Sequence, residues 1–138
     1  MFKENESKYI KRLIGRNEVV LFLGSGFSRG ANNKLNENFP TGLGLGKKIW
    51  EFMGYPGDYI ETPLPEMYQA FVLKGIKKQL KIEFLNNNLM SGNIPEIYNS
   101  ICQPFWFKIY TLNIDDILEK VFKRNNKGTQ EAVYPVDE

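Results

Sequence analysis

The sequence predicts an α/β fold, because two short apolar segments of strand character each lead into a polar turn and then into a helical pattern. Val19–Leu23 is a continuous apolar run that ends at Gly24-Ser25-Gly26, and residues 105–111 are aromatic and β-branched. Continuous apolar runs are typical of parallel strands that are buried on both faces. We therefore predict a Rossmann-like parallel sheet with Val19–Leu23 and Phe107–Thr111 as interior strands.

The composition supports a globular protein and excludes several functional classes. The 138 residues are 42% hydrophobic and 25% charged, which is too apolar for a disordered chain. A net charge of +2 gives no indication of nucleic-acid binding, and no apolar run reaches the length of a membrane span. With one cysteine, Cys102, the chain can form neither an internal disulfide nor a four-cysteine zinc site, so we expect a cytoplasmic protein without a metal. Since there is no histidine to activate it, Cys102 is expected to be a small buried hydrophobe rather than a nucleophile.

Apolar spacing places helices around the two strands. Tyr9, Ile10, Leu13 and Ile14 predict an opening helix, and Thr41-Gly42 can cap a helix that runs to Met53. Between them, residues 28–39 are polar and read as a short helical turn followed by a mobile loop. A helical insertion over about 59–102, without strands, is predicted to contain the helices Pro65–Leu73, Lys77–Leu89 and Pro95–Cys102.

A final helix follows the second strand. It is predicted from an apolar stripe at helical spacing, made of Ile114, Ile117, Leu118, Val121 and Phe122. Ala132–Pro135 is expected to form a short edge strand.

The candidate chemistry lies in the two turns that follow the strands, since this end of a parallel sheet forms the ligand crevice of open α/β folds. Gly24-Ser25-Gly26 is either a tight turn or a place where backbone amides approach a phosphate; it does not complete a dinucleotide fingerprint, because the next glycine is Gly30. In the second turn, Asn113 or Asp115 could simply cap the following helix. One cap leaves Asn113, Asp115 and Asp116 crowded together, which favours a ligand-facing role for at least one of them.

Taken together, these turns resemble the sirtuin-like NAD-binding domain, in particular the type found in bacterial anti-phage NADases. The matching segments are Leu21–Ser28, Phe39–Gly42 and Ile109–Glu119. The resemblance implies that Gly24, Ser25, Gly26 and Ser28 line the pyrophosphate of NAD+, that Asn113 is catalytic and that Asp115 contacts nicotinamide. Phe27, Pro40 and Thr41 lie within the matching segments and are also expected to contact NAD+.

The chain departs from this family at several positions. Ser25 replaces the usual alanine, and Thr41-Gly42 stands where sirtuin deacylases have Asp-Phe-Arg. Since one cysteine cannot build the zinc module of the deacylases, protein deacylation is not expected. The family histidine is also missing, which leaves two alternatives: a catalytically inactive binding module, or the N-terminal part of a domain whose histidine lies further on. The second is favoured, because a complete doubly wound sheet has about six strands and only two are evident.

We therefore expect residues 1–138 to be the N-terminal portion of one sirtuin-like domain that hydrolyses NAD+ to nicotinamide and ADP-ribose in anti-phage defence. The chain alone is expected to be inactive without the histidine. The alternative is a non-catalytic module that binds NAD or ADP-ribose, or that serves in assembly. The expected partners are NAD+, like subunits or further domains of a longer chain; neither a membrane nor nucleic acid is expected.

Overall fold

A computed structural model describes residues 3–125 of the chain, and the fold that it shows is mixed α/β. The helices are α1 (Glu4–Gly15), α2 (Gly42–Phe52), α3 (Leu64–Leu73), α4 (Lys78–Leu89) and α5 (Ile117–Asn125), with a first 3₁₀ helix over Ser25–Gly30 and a second over Glu96–Cys102. The strands are β1 (Val20–Leu23), β2 (Asn32–Asn33), β3 (Ser91–Asn93) and β4 (Lys108–Thr111). The edge strand predicted at Ala132–Pro135 lies outside the described residues.

The chain forms two compact units. Within the described residues, the first unit contains 3–30 together with 94–125, and the second is Ala31–Asn93. The insertion predicted over about 59–102 therefore overlaps both units, and the second 3₁₀ helix belongs to the first.

The first unit is built on a two-stranded parallel sheet in which β1 pairs with β4. The predicted parallel pairing is confirmed, with each strand starting one residue later than expected. The register sets Leu23 opposite Thr111, so both strands end at the same level. A complete Rossmann sheet is not seen in residues 3–125, where β1 and β4 have only each other as neighbours.

The strands are not buried on both faces, which corrects the expectation from their apolar sequences. Side chains alternate along β1, so that Leu21 and Leu23 are half-buried while Val20 and Phe22 are exposed. Phe22 is 75% exposed and stacks on Tyr110 of β4 with ring centroids 5.1 Å apart. A continuous apolar run predicts a doubly covered strand only when other elements cover both faces, and the described part of the first unit leaves this face open.

Helix α5 begins at Ile117 rather than at Ile114, which is 62% exposed and precedes the helix. The apolar stripe is thus shorter than predicted, with Ile117 and Val121 fully buried. The helix packs against the second 3₁₀ helix, where Cys102 is buried with its Sγ 3.8 Å from the carbonyl oxygen of Val121. Cys102 is therefore a small buried side chain, as predicted.

The second unit contains an antiparallel pair, β2 with β3, and β3 corrects the prediction that residues 59–102 contain no strand. Segment 28–39, expected to be a loop after a helical turn, contains strand β2, in which Asn33 is 1% exposed. The Asn33 side-chain Oδ1 accepts hydrogen bonds from the amides of Leu35 and Glu37, at 3.0 Å each, and so stabilises the turn that follows β2. Local bonds from a side chain to the backbone fix this segment without a hydrophobic pattern, which explains why the strand was missed.

Helices α2 and α3 supply the core of the second unit. Thr41 caps α2 as predicted, with its Oγ1 accepting from the Gly44 amide over 3.1 Å. The core residues are Leu45, Ile49, Met53, Met67 and Phe71. Across residues 3–125, none of the helices combines the length and the apolar character needed to cross a membrane.

Candidate functional site

The two turns singled out from the sequence leave adjacent strands at the same edge of the sheet. Because Leu23 is the register partner of Thr111, the segments that follow these residues start side by side. A backbone hydrogen bond from the Leu112 amide to the Leu23 carbonyl, 3.2 Å long, continues the pairing past the last strand residue. The parallel topology therefore brings the glycine turn and the Asn-Asp turn together, as expected for the carboxyl ends of parallel strands.

Ser28 connects the two turns. Its Oγ donates a hydrogen bond to Asp115 Oδ2 at 2.5 Å and accepts one from Asn113 Nδ2 at 2.9 Å. Ser28 is only 3% exposed, whereas Asn113 and Asp115 are half-buried, so the two bonds are partly shielded from water. These two bonds bring three of the predicted site residues together. The single hydroxyl proton of Ser28 is used in the bond to the Asp115 carboxylate.

The structure separates the capping role from the other roles in the second turn. Asp115 Oδ1 accepts from the Ile117 amide at 3.2 Å, so Asp115 supports the start of α5. The Asn113 side chain takes no part in this cap: its backbone amide donates to Thr111 Oγ1 at 3.0 Å, while its Nδ2 reaches Ser28. Asp116 forms an ion pair with Lys120 at 2.8 Å, one turn along the helix. Helix capping therefore accounts for Asp115 in part, but not for Asn113.

Gly24, Ser25 and Gly26 present an open backbone surface at the head of the first 3₁₀ helix. All three residues are exposed. A Cβ atom built on Gly24 or Gly26 would meet no other atom within 4 Å, and neither glycine has a positive φ. Among the described residues, therefore, neither packing nor backbone conformation requires glycine at positions 24 and 26.

The remaining predicted contact residues have structural roles in the separate units. Phe27 packs edge-on against the ring of Tyr98, with centroids 5.0 Å apart, in the first unit. Pro40 and Thr41 belong to the second unit, where Thr41 caps α2 and Pro40 is half-buried.

Sequence reasoning missed Tyr98, which contacts the first 3₁₀ helix directly. Its Oη donates to the Phe27 carbonyl at 2.7 Å and accepts from the Gly30 amide at 3.0 Å. The residue lies in the second 3₁₀ helix, 71 positions after Phe27, in a segment whose pattern indicates only a helix. No local signal in the sequence could have linked Tyr98 to the turn.

The site consists of groups that can hydrogen-bond a polar ligand: exposed turn backbone, and a carboxylate and a carboxamide that are both bound to Ser28. Within residues 3–125, no group of three His, Cys, Asp or Glu side chains is placed to hold a metal ion. A comparison with protein-family models, with curated proteins and with solved structures found no match to this chain.

Proposed function

We propose that this chain binds NAD+ through its two turns, as part of a sirtuin-like domain that hydrolyses NAD+ to nicotinamide and ADP-ribose in defence against phage. The observation that carries the proposal is the link between Ser28, Asn113 and Asp115, because it joins the first and the last of the three segments on which the resemblance rests. Ser28 lies 85 positions before Asn113 and 87 before Asp115, so these two contacts are not a consequence of local chain geometry.

The open glycine turn supports the pyrophosphate part of the proposal. Since Gly24 and Gly26 are not demanded by the fold of the described chain, a ligand that needs close backbone approach gives a reason for them. With the Ser28 proton already donated to Asp115, phosphate oxygens would be met by exposed backbone at Gly24, Ser25 and Gly26 rather than by the Ser28 hydroxyl.

In the proposed reaction, Asn113 orients the nicotinamide ribose and the attacking water while the bond to nicotinamide breaks. As far as residues 3–125 show, the Asn113 side chain is held by one bond from Nδ2, which leaves Oδ1 able to accept a hydrogen bond from a ribose hydroxyl or a water molecule. Orientation of this kind lowers the barrier by fixing the reacting groups before attack. Asp115, fixed by both Ser28 and the start of α5, would contact the nicotinamide carboxamide.

A second candidate function is a module that binds NAD or ADP-ribose without cleaving it. The absence of histidine from all 138 residues favours this reading, because histidine is the usual general base at neutral pH. Nicotinamide release from NAD+, followed by chromatography on the protein expressed from its whole reading frame, separates the two functions.

Gly26→Val tests whether the glycine turn binds the pyrophosphate of NAD+. An added Cβ atom meets no other atom within 4 Å, so the variant should fold, yet its side chain should abolish NAD+ binding by occupying the path of the pyrophosphate. Calorimetric titration with NAD+ measures the affinity, and circular dichroism confirms the fold. Gly75→Val is the matched control, since its Cβ also enters open space but lies in the second unit.

Unchanged affinity in a folded Gly26→Val protein would remove the phosphate role from this turn. Absence of any NAD+ binding by the unmodified chain would contradict the whole proposal.

A further inference from the structure

One tyrosine hydroxyl fixes the backbone on both sides of Ser28. Tyr98 Oη donates to the carbonyl of Phe27, the residue before Ser28, and accepts from the amide of Gly30, two residues after it. The ring of Tyr98 also packs against Phe27, and the side chain is 8% exposed. Both hydrogen bonds are thus partly protected from competition with water.

The segment that carries Tyr98 is itself anchored to helix α5. The Arg124 guanidinium donates to the carbonyls of Ile94 and Pro95, at 2.9 and 3.1 Å, and its Nε donates to Asn99 Oδ1 at 2.7 Å. These bonds fix the second 3₁₀ helix against the same helix whose first amide binds Asp115. Tyr98 therefore connects the first 3₁₀ helix, which carries Ser28, to the helix that begins at the Asn-Asp turn.

Gly30 has the space that this contact requires. A Cβ atom on Gly30 would lie 3.1 Å from Tyr98 Oη, whereas the nearest ring carbons would be at 3.5 and 3.7 Å. The first distance is tighter than ordinary contact, and the other two are normal van der Waals separations. Glycine at position 30 therefore leaves room for the Tyr98 hydroxyl, whereas the Tyr98 ring alone would leave enough room for a Cβ atom.

We propose that Tyr98 is a positioning residue: its hydroxyl sets the place of Ser28 Oγ relative to Asn113 and Asp115, and through it the orientation of the Asn113 carboxamide. The role in NAD+ binding rests on the proposed function, but the effect on Asn113 does not. Ser28 has one hydroxyl proton and bonds to both partners, so a small shift of its backbone changes both bonds.

The test is Tyr98→Phe, which removes the hydroxyl and keeps the ring. Three quantities are measured: hydrogen exchange of the Gly30 amide, the NMR shift of the Asn113 side-chain amide, and the dissociation constant for NAD+. We expect Gly30 exchange to rise, the Asn113 resonance to move, and the dissociation constant to increase by about threefold to tenfold. Tyr68→Phe is the matched control, because Tyr68 is 46% exposed in the second unit.

Gly30→Ala provides an independent variant, since its Cβ displaces the hydroxyl without altering Tyr98. It should move the Asn113 resonance when Tyr98 is present and have little further effect when combined with Tyr98→Phe, where the close contact is gone. If Tyr98→Phe does not fold, Gly30→Ala alone decides the matter.

An unmoved Asn113 resonance in the folded variants would overturn the positioning role, even if Gly30 exchange rises, because Tyr98 would then be only a local support. If the unmodified chain fails to bind NAD+ but the Asn113 resonance still responds, the proposed function fails while the positioning of Asn113 by Tyr98 stands.

Discussion

Asn113 Nδ2 donates a hydrogen bond to Ser28 Oγ over 2.9 Å, although the two residues are 85 positions apart. The contact depends on the parallel pairing of β1 with β4, because that register starts the two turns at the same level. Ser28 in turn donates a hydrogen bond to Asp115, which supports the start of helix α5. The buried Ser28 hydroxyl therefore connects the turn after β1 with the turn after β4 and with the residue that supports the start of α5.

Replacement of Ser28 measures how strongly this hydroxyl stabilises the first unit. Ser28→Ala removes the donor to Asp115 and the acceptor for Asn113, so we expect the free energy of unfolding to fall by about 1–3 kcal/mol. Urea unfolding followed by circular dichroism gives the value. Ser25→Ala is the control from the same turn, since Ser25 is exposed and its change should lie within about 0.5 kcal/mol. Equal stability of the two variants would mean that the Ser28 bonds contribute nothing to folding.

The meeting of the two turns could be predicted from the sequence because it follows from strand direction alone. Two apolar runs separated by helical patterns favour parallel pairing, and parallel strands deliver their following turns to one edge. The Thr41 cap was predictable for a similar reason, since a hydroxyl before a helical pattern has a defined local partner.

What the sequence could not reveal depends on contacts between distant segments. Tyr98 contacts Phe27 only through tertiary packing, and a tyrosine within a helical pattern does not indicate which distant residue it will contact. The exposure of Phe22 was also mispredicted, because an apolar run does not say whether other elements cover it. The late start of α5 has a local cause: Asp115 bonds the Ile117 amide, and this fixes the helix start after Ile114, whatever the apolar spacing suggests.

Thr41 allows its capping role to be measured separately from any contact with NAD+. Thr41→Ala removes the acceptor of the Gly44 amide, so the free energy of unfolding should fall by about 1 kcal/mol. Thr41→Ser retains the hydroxyl and should stay within a few tenths of the unmodified protein. Thermal melts give the stabilities, and calorimetry with NAD+ follows binding in both variants. A cap without importance would leave Thr41→Ala as stable as Thr41→Ser.

The exposed stack of Phe22 and Tyr110 should make the chain bind apolar probes. Phe22 is 75% exposed and lies beside another aromatic ring, so we expect the folded chain to bind a fluorescent apolar dye and to self-associate. Phe22→Ser should weaken the dye signal and shift light scattering towards the monomer. Leu73→Ser is the control, since Leu73 is 77% exposed but belongs to the second unit.

A monodisperse monomer without dye binding would show that this face is not adhesive. An equal loss of dye signal in the Leu73→Ser variant would show that adhesion is not a property of the strand face.

Asn113 is the residue for which a structural and a catalytic role predict opposite results. Asn113→Ala removes one hydrogen bond to Ser28, which should lower the free energy of unfolding by about 0.5–1.5 kcal/mol. The start of α5 should be unaffected, because the Ile117 amide is bound by Asp115. In the proposed reaction the same change removes the group that orients ribose and water. Nicotinamide release per folded molecule should then fall by about a hundredfold or more.

The measurement is chromatographic release of nicotinamide by the protein expressed from its whole reading frame, normalised to the folded fraction from a thermal melt. Asn86→Ala, at an exposed position of α4 in the second unit, controls for loss of an asparagine and should leave turnover unchanged. We expect the melt of Asn113→Ala to move little while turnover collapses and NAD+ binding persists. The reverse pattern, a large drop in stability with normal turnover per folded molecule, would make Asn113 a structural partner of Ser28 and would leave orientation of the ribose to other groups.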